Sequence, residues 1–181
     1  MSEALETALS EAAEVGLLSD AVIASNERQA DDFWNLRDSI SAAERALGPA
    51  MQHDISVPVE RMPEFILEAS PIIETEHPGT HVAAFGHLGD GNVHFHVLAP
   101  KGAIPGEWEE NQGKQISAQV YDLVTKWGGS ISAEHGIGQM KVSELERLTE
   151  PTTLAIMRQI KKALDPQGLL NPGKLVPPAH P

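Results

Sequence analysis

The chain has 181 residues, 41% of them hydrophobic, a formal charge of −13 and no cysteine. The acidity argues against direct binding to nucleic acid or an anionic membrane, which needs a basic footprint, and no apolar run approaches a transmembrane span. Without cysteine there are no disulfides, thiolate ligands or iron–sulfur clusters within the chain, so any metal must rest on histidine and carboxylate.

In chain order, Leu5, Ala8, Leu9, Ala12 and Val15 lie on one face of a helix predicted from Ser2 to Gly16, where the glycine stops it. The start, Met1-Ser2-Glu3-Ala4-Leu5, lacks the basic and apolar regions of a signal peptide, so a cytoplasmic setting is the expectation. Ala21 to Ala24 reads as a short strand, and Asn26 caps a long helix running to Gly48-Pro49. Ile55 to Val57 is a second strand, and Met62 to Glu76 a helix with a kink or break at Pro71. The stretches Thr80 to Gly86 and Val93 to Ala99 flank turn chemistry and predict a β-hairpin. A helix from about Glu109 to Trp127 follows, with Ile116, Val120, Leu123 and Trp127 as its buried stripe.

The last fifty or so residues lack a β pattern. Helix starts fall at Ser143 and Pro151, and Leu154, Met157, Ile160 and Leu164 form the packed face of the final helix, which ends in the turn Asp165-Pro166-Gln167-Gly168. The expectation is an α+β fold: a small antiparallel or mixed sheet covered by helices, a ferredoxin-like sandwich, over 1–128, with a C-terminal helical subdomain over 129–181.

The chemistry concentrates in Gly86-His87-Leu88-Gly89-Asp90-Gly91-Asn92-Val93-His94. A hairpin brings its ends together, and side chains alternate along a strand, so His94 and His96 share a face that His87 meets from the partner strand if the register allows. Two or three imidazoles then converge, as a divalent metal such as zinc requires, and an oxygen donor would extend the set. Ser132-Ala133-Glu134-His135-Gly136-Ile137-Gly138 offers that donor: Glu134 closes the coordination, while His135 takes or gives a proton. On the long helix, Phe33, Trp34, Ile40 and Ser41 place Arg37 beside an apolar stripe, and a buried guanidinium needs an anion. A substrate carboxylate suits its planar fork, with Ser41 adding a hydroxyl contact, and an ion pair with Asp38 or Glu44 is the alternative.

GHLGDGNVHFHV, SISAEHGIGQMK and LDPQGLLNPGKL, in that order, resemble the C-terminal domain of the FAD-linked oxidases that act on D-2-hydroxy acids, from about Asp31 to Val176. That family includes D-2-hydroxyglutarate dehydrogenase, D-lactate dehydrogenase and the glycolate oxidase flavin subunit. The resemblance implies an N-terminal FAD-binding domain or subunit as partner, which this sequence does not contain, and self-association is an option where that domain would pack. It implies that Trp34-Asn35-Leu36-Arg37 supplies the arginine for the substrate carboxylate, and that Asn171 in the tail lies close to the flavin.

It also implies metal on His87, His94 and Glu134 and proton removal by His135, as hydride passes to FAD and a 2-hydroxy acid becomes a 2-oxo acid. Two residues depart from the family pattern: Gln52 stands where dehydrogenases of dicarboxylic hydroxy acids often have Lys, and His96 where Asn is common. His96 is read as a substrate contact, with further metal ligand or second proton acceptor as its other roles. The competing classes are a stand-alone metal-binding module and a metal-dependent hydrolase that needs no flavin.

Overall fold

The computed structural model describes residues 2–177; Met1 and the last four residues of the expected helical subdomain lie outside the described residues. Contacts divide the chain into two units, 1–43 and 44–181, so the expected helical subdomain falls within the second unit.

The first unit is helical. Helix α1 spans Ser2–Glu14, and the strand expected at Ala21 to Ala24 is irregular chain instead. Val22 is exposed there, and every strand of the sheet comes from residues 50–98, so this β-branched run has no ladder to join. Asn26 caps α2 (Glu27–Asp38), its Oδ1 accepting the Gln29 N–H at 3.0 Å. The long helix is interrupted at Ser39, whose hydroxyl donates back to the Leu36 carbonyl at 2.7 Å, and it resumes as α3 (Ile40–Leu47). No residue of α2 is buried, and Phe33, Trp34 and Leu36 are exposed, so the apolar stripe covers no core within this unit.

The second unit holds a three-stranded antiparallel sheet in the order β1-β3-β2, with β1 Ala50–Ser56, β2 His81–His87 and β3 Asn92–Leu98. The α+β expectation is met, with an antiparallel sheet. Helix α4 (Met62–Glu76) packs against β2, and α5 (Lys114–Lys126), entered through a π-helical turn at Glu109–Gly113, packs against β1. Both cover one face of the sheet, where Ile55, Val93, Phe95 and Val97 meet Phe65, Ile73, Ile116, Val120 and Val124. Pro71 leaves α4 unbroken because it lies on the exposed side, as does Leu67, whose carbonyl its missing N–H would have met. Beyond the sheet come α6 (Val142–Leu148) and α7 (Pro151–Leu164).

The final helix departs from expectation. Leu154 is buried, but Ile160 and Leu164 are exposed and line, with Met157, Leu170, Leu175 and Val176, an apolar groove of about 340 Å³. None of the described helices is long and apolar enough to cross a membrane.

One core residue is a histidine. His53 Nδ1 donates to the Phe95 carbonyl and Nε2 accepts from the Ser117 hydroxyl, both at 2.9 Å, which fixes the neutral ring. Burial pulls its pKa from 6.5 to about 4, against the Phe95 hydrogen bond, with His96 and Lys141 adding to the depression. Between those values the unfolded chain takes up a proton that the folded chain refuses. Stability of the metal-free protein is therefore expected to fall as pH drops from 6.5 to about 4, by on the order of 3 kcal/mol. Urea unfolding in chelator at pH 7 and at mildly acidic pH checks this: His53→Leu should flatten the acid limb, and an unchanged slope would contradict it.

Candidate functional site

The sheet face opposite the helices carries the chemistry. In the antiparallel register Asp54 and Phe85 flank His94, Ser56 and His87 flank Asn92, and Gln52 and Ala83 flank His96. Cross-strand partners share a face, so β1 presents Gln52, Asp54 and Ser56, β3 presents Asn92, His94 and His96, and β2 presents Phe85 and His87 on one side.

The hairpin that makes this possible is tight. The Asp90 and Gly91 N–H groups both approach the His87 carbonyl, at 3.3 and 3.2 Å, and Asp90 Oδ1 accepts the Asn92 N–H at 3.0 Å. At Gly86 a Cβ would fall 2.1 Å from the Asn92 carbonyl oxygen, so only glycine lets the strands close just before His87.

The register brings the expected residues together. The rings of His87 and His94 have centroids 5.7 Å apart, and His94 lies 6.2 Å from His96 and 6.5 Å from His135. Phe85 packs against both His94 and His96, at 5.1 and 5.2 Å. Glu134 reaches in from the downstream loop, Oε1 standing 3.4 Å from His87 Nδ1. Burial lowers the His94 pKa and the nearby His96 and His87 add to this, against the pull of Glu134 and Asp54, so the ring is neutral at pH 7. Neutral imidazole is the ligating form, and two imidazoles with a carboxylate are a donor set that suits zinc.

Several contributors escaped the sequence reading. Asp54 is 3% exposed; its Oδ1 accepts from Asn92 Nδ2 at 3.0 Å and its Oδ2 from the backbone N–H groups of Ala133, Glu134 and His135 at 3.2, 2.9 and 2.8 Å. Burial pushes this carboxyl up, but the His135 and Glu134 amides, Asn92 and the His135 ring outweigh it, leaving the pKa below the ordinary value. The Lys141 ammonium donates to the carbonyls of Ile131 and Asp54 at 2.9 and 3.3 Å, pinning the loop to β1. Glu44, at the start of the second unit, is buried with His96, Oε2 to Nδ1 at 2.6 Å. Asp54 stands just before the strand expected at Ile55 to Val57, and Glu44 was expected only as an alternative partner of Arg37.

The remaining expected residues lie in the first unit or in the C-terminal tail. Arg37 and Ser41 belong to the first unit; Arg37 is half-buried rather than buried, with Nη1 3.3 Å from Asp38 Oδ1, the local ion pair foreseen as its alternative. Asn171 is exposed in the tail with φ of 45°, its carbonyl accepting the Lys174 N–H, and the tail then ties to the site loop through Leu175 N–H to Gly138 O at 2.8 Å. The hairpin glycines lead from strand to strand rather than from strand to helix.

Residues 1–175 match the family described as FAD linked oxidases, C-terminal domain. The chain belongs to that family. It is 39% identical to the mitochondrial D-2-hydroxyglutarate dehydrogenase of Arabidopsis thaliana, across 97% of this chain and 30% of that protein. Identity is 37% to the D-2-hydroxyglutarate dehydrogenase of Stutzerimonas stutzeri (strain A1501), across 90% of the chain and 34% of the relative. To the mitochondrial enzyme of Rattus norvegicus it is 34%, across 97% and 31%.

This FAD-linked oxidase C-terminal domain thus spans about a third of the length of these relatives. The plant and rat proteins are mitochondrial by name, a different compartment from the cytoplasmic setting expected from the first residues of the sequence. In this member of the family, Gln52 is exposed directly opposite His96, so the two departures from the family pattern are cross-strand neighbours.

Proposed function

We propose that the chain is the substrate- and metal-binding portion of a flavin-dependent dehydrogenase that oxidises a D-2-hydroxy acid to the 2-oxo acid. The observation that carries this reading is the convergence of His87, His94 and Glu134, with His135 beside them, on the sheet face free of the core helices. His87, His94 and Glu134 hold a divalent ion, zinc by the chemistry of the set. When bound, the ion supplies Lewis acidity toward the substrate's hydroxyl and carboxylate oxygens, and the FAD of a partner domain or subunit supplies the hydride acceptor. His135 takes the hydroxyl proton, Arg37 grips the carboxylate through its planar fork, and Ser41 and His96 add contacts to the substrate. Asn171 is the residue assigned to the flavin. By itself the chain binds metal and does not turn over.

Elemental analysis of the purified chain, after dialysis against a weak chelator, tests the metal assignment. Near-stoichiometric zinc is expected, lost in both His87→Ala and Glu134→Ala. Retention of metal by both variants, or a parent that stays empty after added zinc, would overturn it.

A further inference from the structure

Asp54 stands in the middle of β1, opposite His94, and is buried. A carboxylate withdrawn from water must be repaid with hydrogen bonds. Four donors reach it: Asn92 Nδ2 at one oxygen and three consecutive loop N–H groups, of Ala133, Glu134 and His135, at the other. An ionised carboxylate offers about two lone-pair positions on each oxygen, so Oδ2 is fully subscribed by the loop amides while Oδ1 holds Asn92 alone. Successive backbone N–H groups turned toward one point form an anion-binding concavity, and here the anion is a side chain from a strand some eighty residues earlier. The loop has no regular secondary structure, and Glu134 and His135 are exposed, so burial of their side chains does not set its path. The His135 ring stays close to the same carboxylate, Nδ1 lying 3.9 Å from Asp54 Oδ2.

We propose that Asp54 is a positioning residue: a buried anion around which the 133–135 backbone is wrapped, so that Glu134 and His135 are presented beside His87 and His94. Asp54, Glu134 and His135 do offer donor atoms within 4.8 Å of one another, an arrangement compatible with direct ligation. Direct ligation through Oδ2 would have to displace a backbone N–H, and through Oδ1 it would compete with the Asn92 amide, whereas Glu134 and His135 are exposed and reach an ion without that cost. The importance of Glu134 and His135 rests on the function proposed above; the wrapping of the loop around Asp54 does not.

The test compares the parent chain with Asp54→Asn and Asp54→Ala, reading amide hydrogen exchange without metal and zinc affinity by titration, with the cobalt(II) absorption spectrum as a check on ligand geometry. In the parent the three loop amides should be protected. Asp54→Ala should speed their exchange about 10- to 100-fold while Val93 to Val97 stay protected, and should weaken zinc binding about 10- to 100-fold, the usual effect of losing a residue that orients a ligand.

Asp54→Asn keeps an acceptor oxygen for the loop, and the Asn92 amide, whose Oδ1 is buried without a partner, can turn to meet the new NH₂ group. Protection, zinc affinity and the cobalt spectrum should therefore largely return. Unprotected loop amides in the parent would overturn the proposal, as would unchanged exchange in Asp54→Ala. Equal loss of zinc in both variants, with the loop still protected in Asp54→Asn, would overturn it in favour of Asp54 as a ligand. If the parent binds no zinc, the exchange measurement still decides the role of Asp54, and it is the metal assignment that fails. Should Asp54→Ala also lose protection in β3, the Asp54→Asn and parent comparison carries the decision.

Discussion

Substituting His135 by Gln is expected to slow flavin reduction in the complete enzyme by about 10²- to 10⁴-fold, the usual worth of a general base. His135 is the base of the proposed reaction because it is exposed beside the metal-binding residues, 6.5 Å from the His94 ring, while the other histidines near that cluster are committed elsewhere. His53 is locked neutral inside the core, His96 is tied to Glu44, and His87 and His94 belong to the ligand set. Glutamine keeps the bulk and hydrogen-bonding capacity of the ring without its basicity. Zinc content and KM should change little, and the loss should appear in kcat. Stopped-flow reduction under anaerobic conditions measures it, and an unchanged rate would remove His135 from the proton path.

Gly91→Ala is expected to cost about 3–5 kcal/mol of stability and to abolish tight metal binding together with it. Gly91 has φ of +76°, and a Cβ there would stand 2.1 Å from the Val57 carbonyl oxygen, which is backbone and cannot swing aside. The crowding is inherent to the fold, because the Gly91 carbonyl accepts the Val57 N–H at 3.0 Å and so draws the turn onto the strand end. Displacing the turn separates His87 from His94. Gly102→Ala is the control: φ there is +89° with open space around the site, so only the conformational cost of about 1–2 kcal/mol is expected. Denaturant unfolding distinguishes the two; equal losses would mean that the contact with Val57 is not tight in solution.

The readable parts of this fold were those set by neighbours in sequence. The Asn26 cap, the hairpin around Asp90-Gly91 and most of the stripe Ile116, Val120, Leu123 and Trp127 follow from local chemistry and periodicity and appear in the structure, Leu123 being only partly buried while the neighbouring Val124 is buried. Pro71 was harder, because whether a proline breaks a helix depends on which side faces water, and that is decided by the packing of α4. The run at Ala21 to Ala24 has strand composition without a ladder, and Ile160 and Leu164 have helical spacing without a core beneath them in the second unit.

At the site, His87, His94, Glu134 and His135 were legible as chemistry, and the structure brings them together. Asp54, Lys141 and Glu44 were not, since each acts through contacts that no window of sequence contains. Asp54 meets the loop across 79 to 81 residues, Lys141 returns to β1 across 87, and Glu44 meets His96 across 52.

The most direct measurement is anaerobic flavin reduction after pairing this chain with the flavin-binding domain of one of the D-2-hydroxyglutarate dehydrogenases. The D enantiomer of a 2-hydroxy acid should bleach the flavin only when this chain is present and loaded with zinc, and His94→Ala should not support the reaction. Reduction that proceeds without the chain, is indifferent to metal removal, or runs equally fast with the L enantiomer would contradict the account.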